Sequence, residues 1–351
     1  MKKDHIVATF MPFNLKKNPY LDLLSESLEK EGVEIINHDS RFNIIFLLRN
    51  LRKLDIIHFH WPSAYNDHEN KIKRNIKFLN FCFTIVLSKM LRYKIFWTVH
   101  NLYPHDYKNM FRHKISRKIL AMLADGLFIH FAAAEKAVKK EFGGRKFYKI
   151  KHGNYLNKYL PPVDKNLARE KLNLDKDAFY LMILGMLRSY KGVYKSACDF
   201  IEIAPPDYKL LIAGSEGDKE EMRLLKELAD NNTDRIILRT EYIPDSDINI
   251  YFSAADIIWL SYRKIFTSGS LLLAFSQKKP VLAPKSPFFE EMVSEGSGIL
   301  YDPESKESLK DAFMNLQNLD LEKASEKAYQ ISLSCDWKEI ADTTKKAYEE
   351  A

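Results

Sequence analysis

Cysteine is scarce in this chain: Cys82, Cys198 and Cys335 are the only three among 351 residues. They are odd in number, far apart and at no metal-ligand spacing, so neither a disulfide framework nor a zinc ribbon is supported, and a reducing cytoplasm fits best. Glycine (12) and proline (13) are too few for a fibrous or low-complexity chain, and 46% hydrophobic residues are too many for disorder. Long apolar runs are also missing. The longest, Phe78 to Leu91, has 14 residues and is broken by Asn80, Ser88 and Lys89, whereas a spanning helix needs about 20. The opening MKKDHIVATFMPF lacks the apolar core and small-residue cleavage site of a secretory signal. The expectation is a cytoplasmic chain that at most rests on a membrane.

What is present is a polarised charge. Residues 1–153 hold 28 Lys and Arg against 14 Asp and Glu, while the remainder holds 26 against 33. The two halves therefore have different electrostatic roles. No acidic residue occurs between Glu69 and Asp106, and Lys71, Lys73, Arg74, Lys77, Lys89, Arg92 and Lys94 are interleaved with Phe78, Phe81, Phe83, Ile85 and Leu91. Arg112, Lys114, Arg117 and Lys118 follow. This pattern reads either as a solvated helix face beside a buried one or as a docking surface for anionic lipid headgroups or an anionic acceptor. Nucleic acid is not expected, because no recognition-helix, RNP or zinc-finger pattern accompanies the charge.

Short apolar runs alternate with helical periodicities, the pattern of parallel sheets with crossover helices. In the first half the strands are predicted at His5 to Met11, Val33 to Asn37, Asp55 to Trp61, Lys94 to His100, Gly126 to Phe131 and Phe147 to His152. Between them, helices fit Tyr20 to Glu31 and Ser116 to Ala124. The alternation pauses over 154–177, read as a linker with a short helix. It restarts at Phe179 to Leu184, Lys209 to Ala213, Arg235 to Arg239, Asp256 to Ser261, Pro280 to Ala283 and Gly298 to Tyr301, and three helices close the chain. The expected organisation is an α/β domain over 1–153, a second over 178–335, and a last helix over 336–351 returning toward the first. Two such units would face a cleft with the C-terminal ends of their strands, where open α/β sheets bind ligands.

Two turns of the second unit suit phosphate. In LMILGMLRSYKGV a strand ends at Gly185, with Arg188 and Lys191 just ahead of a helix. In SYRKIFTSGSLLLAF a strand ends near Tyr262 and a helix begins near Ser268, so Thr267, Ser268, Gly269 and Ser270 present hydroxyls, free N–H groups and a helix dipole to an anion. Each alone is equally a glycine turn or an ordinary N-cap. Together, at the same sheet edge, they point to a diphosphate site.

With these in place, the runs LGMLRSYKG, LLIAGSEGD, YIPDSDINIYFSAADIIWLSYR, TSGSLLLAFSQKKPVLAP and GILYDP resemble the nucleotide-sugar domain of GT-B glycosyltransferases, above all glycosyltransferase family 4 and related bacterial polysaccharide-biosynthesis enzymes. NPYLDLLSESLEKEGVEI, DIIHFHWP and FWTVHNLYPHD resemble the acceptor domain of the same enzymes. The resemblance implies the GT-B fold, two Rossmann-like parallel-sheet domains. It implies transfer of a sugar from a nucleotide-diphosphate sugar to a lipid-linked or polysaccharide acceptor in exopolysaccharide, capsule or O-antigen synthesis, on the cytoplasmic face of the inner membrane. Lys191 would neutralise the donor diphosphate, with Arg188 standing in for the family arginine whose place Met186 takes. Thr267 to Ser270 would cradle the distal phosphate, Tyr242 and Ile243 would hold the nucleobase, and Asn18 would lie near the diphosphate. His100 matches the histidine beside the transferred sugar, although Asn101 replaces the acid that follows it.

One departure from the family stands out. The family's pair of glutamates, with seven residues between them, is replaced by Ile265 and Leu273, so sugar identity and stereochemistry are not inherited. An oxocarbenium-like transfer builds charge on the leaving diphosphate, which Arg188, Lys191 and helix amides would stabilise without a metal or other cofactor. Inversion, toward which the missing glutamates lean, needs a base, and His100, His105 and Asp106 are the candidates. His58 and His60 alternate onto one strand face and could be taken for metal ligands, but no carboxylate accompanies them and hydrogen-bonding histidines are the simpler reading. Trp61 either stacks on an acceptor sugar or packs at the cleft rim. The alternatives are a catalytically silent scaffold of a polysaccharide-assembly complex and a soluble small-molecule GT-B enzyme or epimerase.

Overall fold

A computed structural model describes residues 5–12, 19–36, 42–65, 68–104, 110–144, 146–293 and 296–351. The chain forms two compact units, residues 1–153 with 335–351, and residues 154–334. In the first unit the elements run β1 (Ile6–Met11), α1 (Tyr20–Lys30), β2 (Val33–Ile35), α2 (Ile44–Arg49), β3 (Ile56–Phe59), α3 (Lys71–Met90), β4 (Lys94–Thr98), α4 (Met110–Leu123), β5 (Gly126–Ile129), α5 (Ala132–Phe142) and β6 (Phe147–Lys149). The strands are fully parallel in the order β2-β1-β3-β4-β5-β6. Strands covered on both faces read as continuous apolar runs, which is why β1, β3, β4 and β5 stand out in the sequence, while the edge strands β2 and β6 are only partly buried. β1 ends at Met11 as predicted, and the other five stop two or three residues earlier because the last residues of each run, such as His60 and His100, leave the ladder at the C-terminal edge.

The second unit runs α6 (Lys165–Lys171), β7 (Phe179–Leu184), α7 (Val193–Ile203), β8 (Tyr208–Ala213), α8 (Lys219–Asp230), β9 (Ile236–Arg239), α9 (Ile248–Ala254), β10 (Ile257–Trp259), α10 (Gly269–Ser276), β11 (Val281–Pro284), α11 (Pro287–Met292), β12 (Gly298–Tyr301), α12 (Lys306–Leu316) and α13 (Leu321–Leu333). Its sheet, also parallel, has the order β12-β11-β10-β7-β8-β9. The segment 154–177 lies inside this unit. Its helix α6 is anchored by Arg169, 1% exposed, which donates to Asp256 at 2.7 Å and to the Ala254 carbonyl at 3.0 Å.

The last helix, α14 (Trp337–Glu349), belongs to the first unit. Ile340, Ala341, Ala347 and Tyr348 join Phe10, Tyr20, Leu24, Leu28, Phe96 and Phe128 in its core. Gly153 is required here by space: a Cβ would lie 2.2 Å from the Trp337 ring. The three cysteines are free thiols.

Candidate active site

Each sheet reverses strand order once, and such a switch point opens a crevice at the strands' C-terminal ends. In the second unit the switch lies between β7 and β10, and both predicted phosphate turns lie beside it. β7 ends in Gly185, at φ +110°, where a Cβ would come within 3.0 Å of the Lys191 ammonium. Gly214, at φ +139° after β8, has its missing Cβ 2.2 Å from the Gly185 carbonyl oxygen. These two glycines let the backbone fold back so that Lys191 lies over the strand end.

Tyr262 joins the two turns. The Lys191 Nζ stands 6.0 Å from the centre of its ring, and the Tyr262 hydroxyl lies 3.1 Å from Ser270 Oγ and accepts from Ser268 Oγ at 3.4 Å. Ser268 caps α10, its Oγ accepting from the Leu271 N–H at 3.3 Å. The Ser261 hydroxyl donates to the Lys191 carbonyl at 3.1 Å. An ammonium, two serine hydroxyls and a helix N-terminus thus share one edge, an arrangement suited to an anion with two charged groups. Ser268 is buried and Thr267, Gly269 and Ser270 half-buried, as are Ile265 and Leu273, so no carboxylate stands in the glutamate positions. Arg188 is exposed and points back, its Nε 2.8 Å from Met186 Sδ. Tyr242 is exposed and Ile243 buried in the turn between β9 and α9. Sequence reasoning overlooked Tyr262, which looks there like an ordinary strand-end aromatic.

The first unit's switch lies between β1 and β3, and histidines fill its edge. His58, His60, His100, His130 and His152 are all buried. His100 is enclosed: Nε2 lies 3.1 Å from His60 Nδ1 and Nδ1 lies 3.3 Å from His130 Nε2. Half-buried Trp61 stacks on the His100 ring with centroids 4.4 Å apart, and Tyr20 meets that ring edge-on at 4.8 Å. His58 is a core residue, its ring nitrogens 2.6 Å from Tyr348 Oη and 2.7 Å from Thr98 Oγ1. Burial lowers the pKa of every ring in the group, to about 3 at His58 and His130 and about 4 at His152. His60 and His100 move in the same direction, first by burial and then by the neighbouring rings. All five are therefore neutral at pH 7. Among the described residues no group of His, Cys, Asp or Glu has the arrangement to hold a metal ion. His130 and His152 were not anticipated, although the signal exists: DIIHFH, TVH, FIH and IKH all end an apolar run in histidine. Asn18, His105 and Asp106 lie outside the described residues.

The basic run forms α3, capped by Asn70, whose Oδ1 accepts from the N–H groups of Ile72 and Lys73 at 2.9 and 3.1 Å. Phe81, Thr84, Ile85 and Ser88 face the core. Opposite them, Ile72, Ile76, Leu79, Phe83, Val86 and Met90 are 44–74% exposed. At 3.6 residues per turn these six fall within about 40° of a single line along the helix. Lys71 and Lys73 are exposed on its flanks, Lys77 is exposed toward the side of Thr84 and Ser88, and Arg74 is half-buried. Ile44, Ile45 and Leu48 of neighbouring α2 are exposed too. No described helix is long and apolar enough to cross a membrane.

Residues 164–331 match the family described as Glycosyl transferases group 1. Over 346 residues the chain is 28% identical to the GDP-mannose:glycolipid 4-beta-D-mannosyltransferase of Xanthomonas campestris pv. campestris, covering 96% of this chain and 90% of that protein. Among solved structures, sucrose-phosphate synthase from Thermosynechococcus elongatus superposes with a TM-score of 0.74 at 17% identity, covering 99% and 98% of the two chains. Anabaena HepE in complex with UDP superposes with a TM-score of 0.72 at 14% identity, covering 99% and 100%.

Proposed function

We propose a donor, an acceptor and a stereochemical course for this chain, which by its fold and family match is a glycosyltransferase of the GT-B type. It takes a hexose, mannose from GDP-mannose first among the candidates, and transfers it to a lipid-linked acceptor at a membrane surface. The exposed apolar stripe of α3 with its flanking cations carries this reading. A soluble acceptor gives no reason to expose six large apolar side chains in a row, whereas an anionic bilayer accepts both the stripe and the lysines. The full-length relative supports the choice, since its name states a GDP-mannose donor and a glycolipid acceptor.

The chemistry follows from the second unit. The C1–oxygen bond to the diphosphate lengthens as the sugar gains oxocarbenium character, and negative charge accumulates on the leaving group. Lys191 and the α10 N-terminus, with Ser268 and Ser270, are placed to stabilise that charge, the task a divalent ion performs in other transferases. Arg188 is exposed and turned toward Met186, and its part in this reading is to swing onto the diphosphate. Tyr242 offers an exposed ring to the base. The β linkage named for the relative requires inversion from an α-linked nucleotide sugar. We extend that course to this chain, where the two family glutamates are absent.

Calorimetric titration of the metal-free protein with GDP, UDP, ADP, CMP and dTDP tests the donor. Selective binding of GDP is expected. Equal indifference to all five would remove the donor site from the second unit.

A further inference from the structure

Three of the buried histidines of the first unit, His60, His100 and His130, admit one consistent arrangement of protons when each is neutral. The Ile150 carbonyl oxygen can only accept, so His130 Nδ1, at 3.2 Å, carries a hydrogen. A neutral ring holds one N–H, which leaves His130 Nε2 an acceptor and makes His100 Nδ1, at 3.3 Å, the donor. By the same step His100 Nε2 accepts from His60 Nδ1 at 3.1 Å. The lone pair left at the end of the chain is on His60 Nε2, which is buried without a hydrogen-bond partner among the described residues. That end lies at the switch point: the His60 N–H donates to the Met11 carbonyl at 2.9 Å, joining the end of β3 to the end of β1. Among the described residues, the titratable groups around the three rings include His58 on β3, His152 after β6 and Tyr20 on α1, with Tyr348 on α14 beyond His58.

We propose that His60, His100 and His130 form a proton relay of fixed polarity, anchored on the Ile150 carbonyl, whose open end, His60 Nε2, takes the proton of the acceptor hydroxyl. This rests on the inverting transfer proposed above. In the step, the acceptor O–H bond breaks and its proton passes to His60 Nε2. The oxygen bonds to C1, and the C1–oxygen bond to the diphosphate breaks with its electron pair leaving on the diphosphate. His60 then passes its Nδ1 proton to His100 Nε2, and His100 its Nδ1 proton to His130 Nε2, which spreads the transient positive charge over three rings that burial keeps neutral at rest. Reverse hops return the proton to solvent once product has left. His100 is in this account a positioning residue, with both ring nitrogens committed. The half-buried Trp61 ring lies 5.8 Å from that of His60, and admitting the acceptor requires a side-chain displacement there.

Two measurements on the full chain separate the relay from the reaction. Long-range proton–nitrogen spectra of protein labelled in histidine nitrogen should show His60, His100 and His130 as Nδ1–H tautomers at pH 7; an Nε2–H form at His60 would overturn the relay. His60→Ala should lower kcat for transfer about 100- to 10,000-fold, with nucleotide affinity and the circular dichroism spectrum unchanged and partial rescue by added imidazole. His130→Asn, which removes the anchor, should lower kcat less and shift the acid limb of the pH profile at unchanged KM. A His60→Ala enzyme within threefold of wild type, or a loss that imidazole does not rescue, would contradict the base assignment. Absence of transfer by the wild type would instead defeat the inverting glycolipid reading, and the tautomers would still decide the relay.

Discussion

In the proposed donor site, Lys191 is the residue on which binding turns most directly. It lies over Gly185 and faces the Tyr262 ring, with the α10 serines reached through the same tyrosine. Its replacement by alanine removes one charge-assisted contact to the diphosphate, about 1.5 to 3 kcal/mol, and calorimetry should read a loss of roughly 10- to 150-fold in nucleoside-diphosphate affinity. Arg188→Ala should cost less, because that side chain is exposed and must be recruited. The histidines give a second prediction at this scale. Burial depresses their folded pKa values, so above pH 6.5 neither folded nor unfolded chain is protonated at them and they add no pH dependence. As the pH falls below 6.5 the unfolded chain takes up protons that the folded chain refuses until about pH 4 to 3. Stability is therefore lost as pH falls through that window, at about 1.4 kcal/mol per pH unit for each such ring. Urea unfolding of the first unit at pH 7.5 and 5.5 should show a lower midpoint at 5.5; equal midpoints would mean the rings are not held neutral.

Among the elements, α3 is the one whose two faces the sequence left unassigned and the structure separates. Its apolar residues were legible as a run from Phe78 to Leu91, but not as two opposed faces, because a run alone does not say which side meets the sheet. Phe81 and Ile85 go inward while Phe83 and Val86 go outward. Ile76→Glu with Phe83→Glu should release the protein from anionic vesicles in flotation without changing its thermal transition, since both side chains are exposed. Unaltered flotation would place the membrane contact elsewhere. At the other end of the first unit, Gly153→Ala should destabilise by about 1 to 3 kcal/mol, because the new methyl group meets the Trp337 ring and α14 must shift. An unchanged melting curve would show that α14 can yield.

At the scale of the molecule, the sequence disclosed the two α/β units, the charge polarity between the halves and every strand, since buried parallel strands announce themselves as apolar runs. The two turns proposed for phosphate were also legible, because Gly185, Lys191 and the TSGS run are local signals, and the structure sets both beside the second unit's switch point. What the sequence did not disclose depends on contacts between distant residues. The relay brings together His60, His100 and His130 from three strand ends some 30 to 40 residues apart, and only the β3-β4-β5 order makes them neighbours. Likewise Tyr262 gained meaning only when both turns converged on it. Segment 154–177 was misleading for a related reason: its charges suggest a linker, yet Arg169 is buried against Asp256 and ties the segment to the second unit.

The central claim, inverting transfer to a membrane-borne acceptor, is tested most directly by incubating the protein with GDP-mannose and a lipid-linked oligosaccharide in anionic vesicles, with chelator present, and determining the anomeric configuration of the product by NMR. The account predicts a β-mannosyl lipid formed at full rate in chelator. An α-mannosyl product, or transfer only to soluble acceptors, would contradict it.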